Sequence, residues 1–157
     1  MTADRHSIAA PPTGRPEWVP REYSQLVRIG EHFDVVRIAG LRGLDVANAV
    51  RAVAGGTPGA IVHELYGREW VHILVPPGTT ASLRWPPGIQ ALGSDASRER
   101  CIEIPALDDD SCLLAWHSRP TESTPLVDTA LCHTVLVYEL ADVLDPSDWT
   151  DRPDPRG

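Results

Sequence analysis

Two histidines, His63 and His72, flank a Gly67–Arg68 step. Imidazole is the side chain that moves protons and binds transition metals near neutral pH. Ala60–Tyr66 and Glu69–Val75 are strand-like runs, and a two-residue turn led by glycine would join them as a type II′ hairpin. Such a turn pairs Tyr66 with Glu69, Leu65 with Trp70, Glu64 with Val71 and His63 with His72. Directly opposed residues have Cβ atoms roughly 4.5–5.5 Å apart. The expected pair could therefore work in acid–base or metal chemistry, or change charge with pH, because adjacent imidazolium ions repel. Its face otherwise carries Ile61, Leu65, Trp70 and Leu74. None of these is a metal donor, so no metal site is assigned.

A second group of polar residues falls near strand ends. Trp116–His117–Ser118–Arg119 closes an apolar run, and Arg84–Trp85 precedes the rigid Pro86–Pro87–Gly88 loop. Arginine grips phosphate or carboxylate through paired hydrogen bonds, and tryptophan stacks on planar ligands. The candidate ligand-binding residues are thus His63, His72, Arg84, Trp85, His117 and Arg119. No cofactor is implied.

Other chemistries are excluded by what is missing. All 14 basic residues are arginine, so there is no Walker A loop, Schiff-base lysine or protein-kinase site. His63–Glu64 begins an H-E-x-x-H pattern, but Gly67 stands where the second histidine belongs, and the run is a strand rather than a helix. No G-x-S-x-G or G-x-G-x-x-G occurs. Asp108–Asp109–Asp110 reads as a solvated turn. The 3 cysteines, Cys101, Cys112 and Cys132, contain no C-x-x-C. They read as buried, reduced thiols in a cytoplasmic protein, not as a zinc ribbon or disulfide framework.

The elements that must position these side chains follow from periodicity and turn residues. Phe33–Ala39 is a short β-branched strand closed by Gly40, and Leu44–Ala54 is a helix stopped by Gly55–Gly56. Arg21–Ile29 is expected to be a short helix. Ile89–Leu92, Arg100–Ile104 and Cys112–Trp116 read as strands, and Asp128–Leu144 as a helix with an aspartate N-cap. The order predicts an α+β domain with a mixed or mainly antiparallel sheet and a few helices.

With 157 residues and 42% hydrophobic content the chain has room for a single packed domain, placed at residues 18–145. Proline-rich segments at 1–17 and 146–157 read as extended tails, docked through Trp18 and Trp149. No run is long and apolar enough for a membrane span, and the first ten residues lack the apolar core of a secretory leader.

Several stretches between Trp18 and Arg119 resemble the bifunctional DNA primase/polymerase N-terminal domain family, in particular small proteins of high-GC bacteria. The similar segments are Phe33–Asp34–Val35–Val36, Gly59–Ala60–Ile61–Val62 and Ile73–Leu74–Val75–Pro76–Pro77–Gly78–Thr79, followed by Leu92–Gly93, Ile104–Pro105, Trp116 and Pro120. The resemblance implies a reduced primase-polymerase-like scaffold. Active members use an acidic pair on one strand, a histidine on the next and a further aspartate to hold two metal ions. Here the matching strand offers Asp34 alone, and two-metal nucleotidyl transfer needs carboxylates that bridge both ions.

The expected function is therefore non-catalytic and regulatory, acting in the cytoplasm through a protein partner or a second copy of the chain. The alternatives are a small-molecule or nucleotide binder, and a small enzyme built on His63 and His72. The formal net charge of −8 opposes nonspecific nucleic-acid binding, which is driven by cations neutralising phosphates. Random duplex DNA at about 150 mM salt should show no gel shift at micromolar protein; retention there would overturn this reading of the charge.

Overall fold

The computed structural model describes residues 15–94, 100–108 and 113–141. Most of both expected tails, together with Asp109, Asp110, Cys112 and Trp149, lies outside the described residues. The described strands are β1 (Ser24–Arg28), β2 (Asp34–Ile38), β3 (Ile61–Glu64), β4 (Val71–Val75), β5 (Gln90–Leu92), β6 (Cys101–Pro105) and β7 (Leu114–Ser118). Helix α1 spans Gly40–Val53 and helix α2 spans Thr129–Leu140, with a short 3₁₀ turn at Thr80–Ser82. Strands β5-β2-β4-β3-β7 form one five-stranded sheet, and β1 pairs with β6 in a separate ribbon. Every pairing is antiparallel. The expected α+β class is therefore observed, and no described helix is long and apolar enough to cross a membrane.

Side-chain alternation along the strands splits the core into two layers. Val36, Ile38, Ile61, Val71, Ile73 and Val75 face α1 and α2, meeting Val46, Val50, Val135 and Leu136. Val35, Val62 and Leu74 face the other way, against Ile102 and Ile104 of the ribbon. The central sheet is thus covered by helices on one side and by the β1–β6 ribbon on the other. Trp18 joins the second layer by meeting the Phe33 ring edge-on, with centroids 5.1 Å apart.

Local signals set the helix ends. Gly55 and Gly56 stop α1 at positive φ, with Gly56 N donating to Arg51 O at 2.8 Å. Asp128 caps α2, its Oδ2 accepting from Leu131 N at 2.9 Å. Helix α1 begins at Gly40, a turn earlier than Leu44, so Asp45 lies beyond its first turn. The wholly buried Asp34 fastens the 3₁₀ turn: its Oδ2 accepts from Thr80 N at 3.1 Å and Thr80 Oγ1 at 2.7 Å. Asp34, the acid of β2, thus holds a loop.

Three expectations need correction. Arg21–Ile29 contains a strand, not a helix. Tyr23 has φ 59, which breaks a right-handed helix, and Ser24–Arg28 instead pairs residue for residue with Pro105–Cys101. Cys101 is exposed, whereas Cys132 is buried; burial first, then Asp128, pushes the Cys132 thiol up to about 12 and leaves it inert.

The third correction concerns the hairpin. Its turn lies where expected, with Gly67 at φ 59 and Glu69 N donating to Tyr66 O at 2.9 Å. Glu69 itself, however, adopts φ 52. This extra left-handed residue moves the pairing by one: Val62 opposes His72 and His63 opposes Val71. A one-residue slip moves a side chain to the other face, so His63 and His72 point to opposite sides of the sheet. Replacing Glu69 by glycine should raise stability by roughly 0.5–1 kcal/mol, because glycine occupies this conformation without a Cβ penalty. The urea midpoint measures this, and a lowered midpoint would contradict the assigned strain.

Candidate functional site

A partly buried arginine stands on a central strand of the sheet. Arg37 interrupts the apolar stretch of β2, whose other four residues, the carboxylate Asp34 included, are buried. It points away from the helices, and its register partners are Gln90 on β5 and His72 on β4. Arg37 Nε donates to Gln90 Oε1 at 2.7 Å. Its guanidinium carbon lies 4.3 Å from the Trp70 ring centroid, a cation–π contact that restrains the group over the indole. The Nη nitrogens make no hydrogen bond among the described residues.

His72 is the next member of the row and is 1% exposed. Its Nε2 lies 2.9 Å from Glu64 Oε1, one diagonal step away on β3. The carboxylate accepts, so Nε2 carries the proton and donates. Gln90, Arg37, His72 and Glu64 thus form a polar row across four adjacent strands. Burial pushes the Arg37 pKa down, the Glu64 carboxylate opposes that shift, and the Arg100 charge adds to it.

Beside this row a cleft of about 390 Å³ opens between the sheet and the ribbon, lined by Ile29, Arg37, Gln90, Leu92, Arg100, Cys101 and Ile102. Arg100 is anchored where the ribbon begins, its carbonyl accepting from Ile29 N at 2.8 Å. Its side chain makes no ion pair with the described residues. Two guanidinium groups that repel each other therefore share one cleft with apolar walls. An anion entering it would relieve that repulsion, and Ile29, Leu92 and Ile102 would cover an attached apolar body.

The six residues singled out from the sequence are dispersed. His72 lies in the row, behind the cleft. Trp85 is a core residue, 4% exposed, with its Nε1 donating to Thr80 O at 2.9 Å and its ring edge-on to His133 at 5.1 Å. It is therefore no platform for stacking a ligand. His133 Nε2 donates to the Arg84 carbonyl at 2.6 Å, so Arg84 and Trp85 sit together against α2. Arg119 is exposed just past the end of β7. His63 and His117 come together on the helix side of the sheet, close enough that His63 adds to burial and the Arg51 charge in disfavouring charge on His117. Among the described residues, no three His, Cys, Asp or Glu side chains gather as a metal cluster.

Sequence reasoning missed Arg37, Gln90 and Arg100. A charge inside the apolar run Phe33–Ala39 was the available signal for Arg37. Gln90 and Arg100 join it only through sheet pairing and the ribbon.

No family model, curated protein or solved structure matches this chain.

The polar row has a measurable weak point. Replacing Glu64 by alanine leaves the His72 N–H buried without an acceptor, at a cost of about 1–3 kcal/mol. Glu64→Gln keeps an acceptor and should lose less. Equal losses in urea unfolding would show that the pair does not hold the sheet face together.

Proposed function

We propose that the protein binds a small organic anion, a carboxylate or phosphate on an apolar body, in the cleft between β5 and the ribbon. The observation that carries this reading is the convergence of Arg37 and Arg100 on one cavity. Arg37 is held by Trp70 and Gln90 with its Nη groups unused by the described residues. A guanidinium held in place before the ligand arrives loses little side-chain freedom on binding, and that loss is one of the main costs of association. The geometry favours the small-molecule alternative over an enzyme built on His63 and His72, which do not meet. The free thiols Cys101 and Cys132 fit the reducing, cytoplasmic setting that is part of this proposal.

A regulatory role through a protein partner is supported by a different feature. Among the described residues, strand β1 pairs with β6 alone, and it carries Leu26, 73% exposed, beside the 75% exposed Tyr23. An edge strand with apolar side chains is a surface on which a second chain can add a strand.

The cleft reading is tested with phenyl phosphate and benzoate as probes and the uncharged benzamide as control, by ligand-observed NMR and calorimetry on the full chain. The two anions should bind and benzamide should not. Arg37→Gln and Arg100→Gln should each weaken binding by about tenfold or more, as expected for the loss of a charge-assisted hydrogen bond. Bound anion should also protect Cys101, which lines the cleft, from alkylation. Equal binding of benzamide, or unchanged anion affinity in the double variant, would refute the proposal.

A further inference from the structure

The helix side of the sheet holds a second arrangement, independent of the cleft. Strand β7 pairs with β3 through Val62–Trp116 and His63–Ala115, and then shifts so that Ile61 opposes Ser118. His117 is the extra residue in this irregularity. A bulge re-aims the side chain it carries, and here it sends His117 toward α1. There His117 Nε2 meets Asn48 Oδ1 at 2.9 Å, and the His117 carbonyl accepts from Arg51 Nη1 at 3.1 Å. Two residues one helical turn apart, Asn48 and Arg51, thus hold both the ring and the backbone of His117.

The hydrogen bond to Asn48 settles the tautomer. An amide oxygen only accepts, so Nε2 carries the proton and Nδ1 carries the lone pair. Nδ1 is buried and has no hydrogen-bond partner. His63 lies on the same face of the adjacent strand, and its Nε2 is likewise buried without a partner. Two neighbouring imidazoles therefore each present an unused ring nitrogen, while each residue as a whole is only partly buried. Burial, the Arg51 charge and His63 all push the His117 pKa down, which keeps the lone pair free at neutral pH.

We propose that His63 Nε2 and His117 Nδ1 form a two-imidazole site for a divalent transition-metal ion of the zinc–copper class, with water in the remaining positions. Imidazole as the only protein donor favours zinc, nickel or copper over magnesium or calcium. Asn48 acts as the outer-shell group that orients a ligating histidine. With two side-chain ligands, affinity falls below that of a closed four-ligand zinc centre. The ion would join β3 to β7 at the sheet edge. The Arg51 guanidinium, sharing the neighbourhood, weakens binding by charge repulsion and so gives the site a distinctive signature.

Titration of the full chain with Zn²⁺, and separately with Cu²⁺, followed by histidine side-chain NMR and calorimetry, tests the proposal. His63 and His117 signals should move together, while those of His32, His72 and His133 stay in place. His63→Gln and His117→Gln should each lower affinity by about tenfold or more, and Asn48→Ala by roughly that factor, the usual effect of losing an outer-shell partner. Arg51→Gln should tighten binding, and bound Zn²⁺ should raise the melting temperature. Should a histidine variant fail to fold in chelator, the opposite effects of Asn48→Ala and Arg51→Gln still decide the matter. Metal-induced shifts centred on the cysteines or on other histidines, no response of His63 and His117 at millimolar metal, or affinity unaffected by Arg51→Gln would overturn it.

Discussion

The left-handed backbone at Glu69 sets the pairing of β3 with β4, and through it the side of the sheet that each polar side chain occupies. With this pairing, Val62 and Glu64 share a face with His72, and Ile61 and His63 share the other with Val71 and Ile73. The apolar residues then fall on two separate layers that bury well. A hairpin paired one residue differently would turn Val71 and Ile73 away from the helices and His72 toward them. Core burial and the backbone strain at Glu69 therefore act on the same choice, and burying several β-branched side chains outweighs one left-handed residue.

The polar row depends on that choice. His72 is nearly inaccessible, and a buried imidazole N–H needs an acceptor. Glu64 supplies it from the neighbouring strand. The same carboxylate favours charge on Arg37, whose burial works against it. Trp70 and Gln90 then hold the guanidinium, which lines the cleft. The row thus turns an arginine that would otherwise disrupt a core strand into a held cation at the edge of a cavity.

The far edge of the sheet uses a different device. At β7 an irregular step inserts His117, and α1 takes up both its ring and its carbonyl. The two faces of one sheet consequently carry two unlike arrangements: guanidinium groups toward the ribbon and imidazole nitrogens toward the helices. Strand β3 contributes to both, through Glu64 on one side and His63 on the other, because neighbouring residues of a strand point in opposite directions.

Much of the secondary structure was legible in the sequence, because its signals are local. Gly55–Gly56 stops α1, Asp128 caps α2, and β-branched runs mark β2, β3 and β4. The α+β class follows from their order. The partners of each strand were not legible. Ser24–Arg28 becomes a strand because β6 offers it a ladder, and nothing within the segment announces that partner. The candidate sites depend on tertiary structure most of all. The side-chain period of a strand is two, so a single extra residue at Glu69 separated His63 from His72, and another at His117 brought a distant histidine beside His63. Arg37 was marked by its own charge in an apolar run. Gln90 and Arg100 reached it only when β5 and the ribbon closed over the sheet, since the physical cause of their meeting is burial shared among segments far apart in the chain.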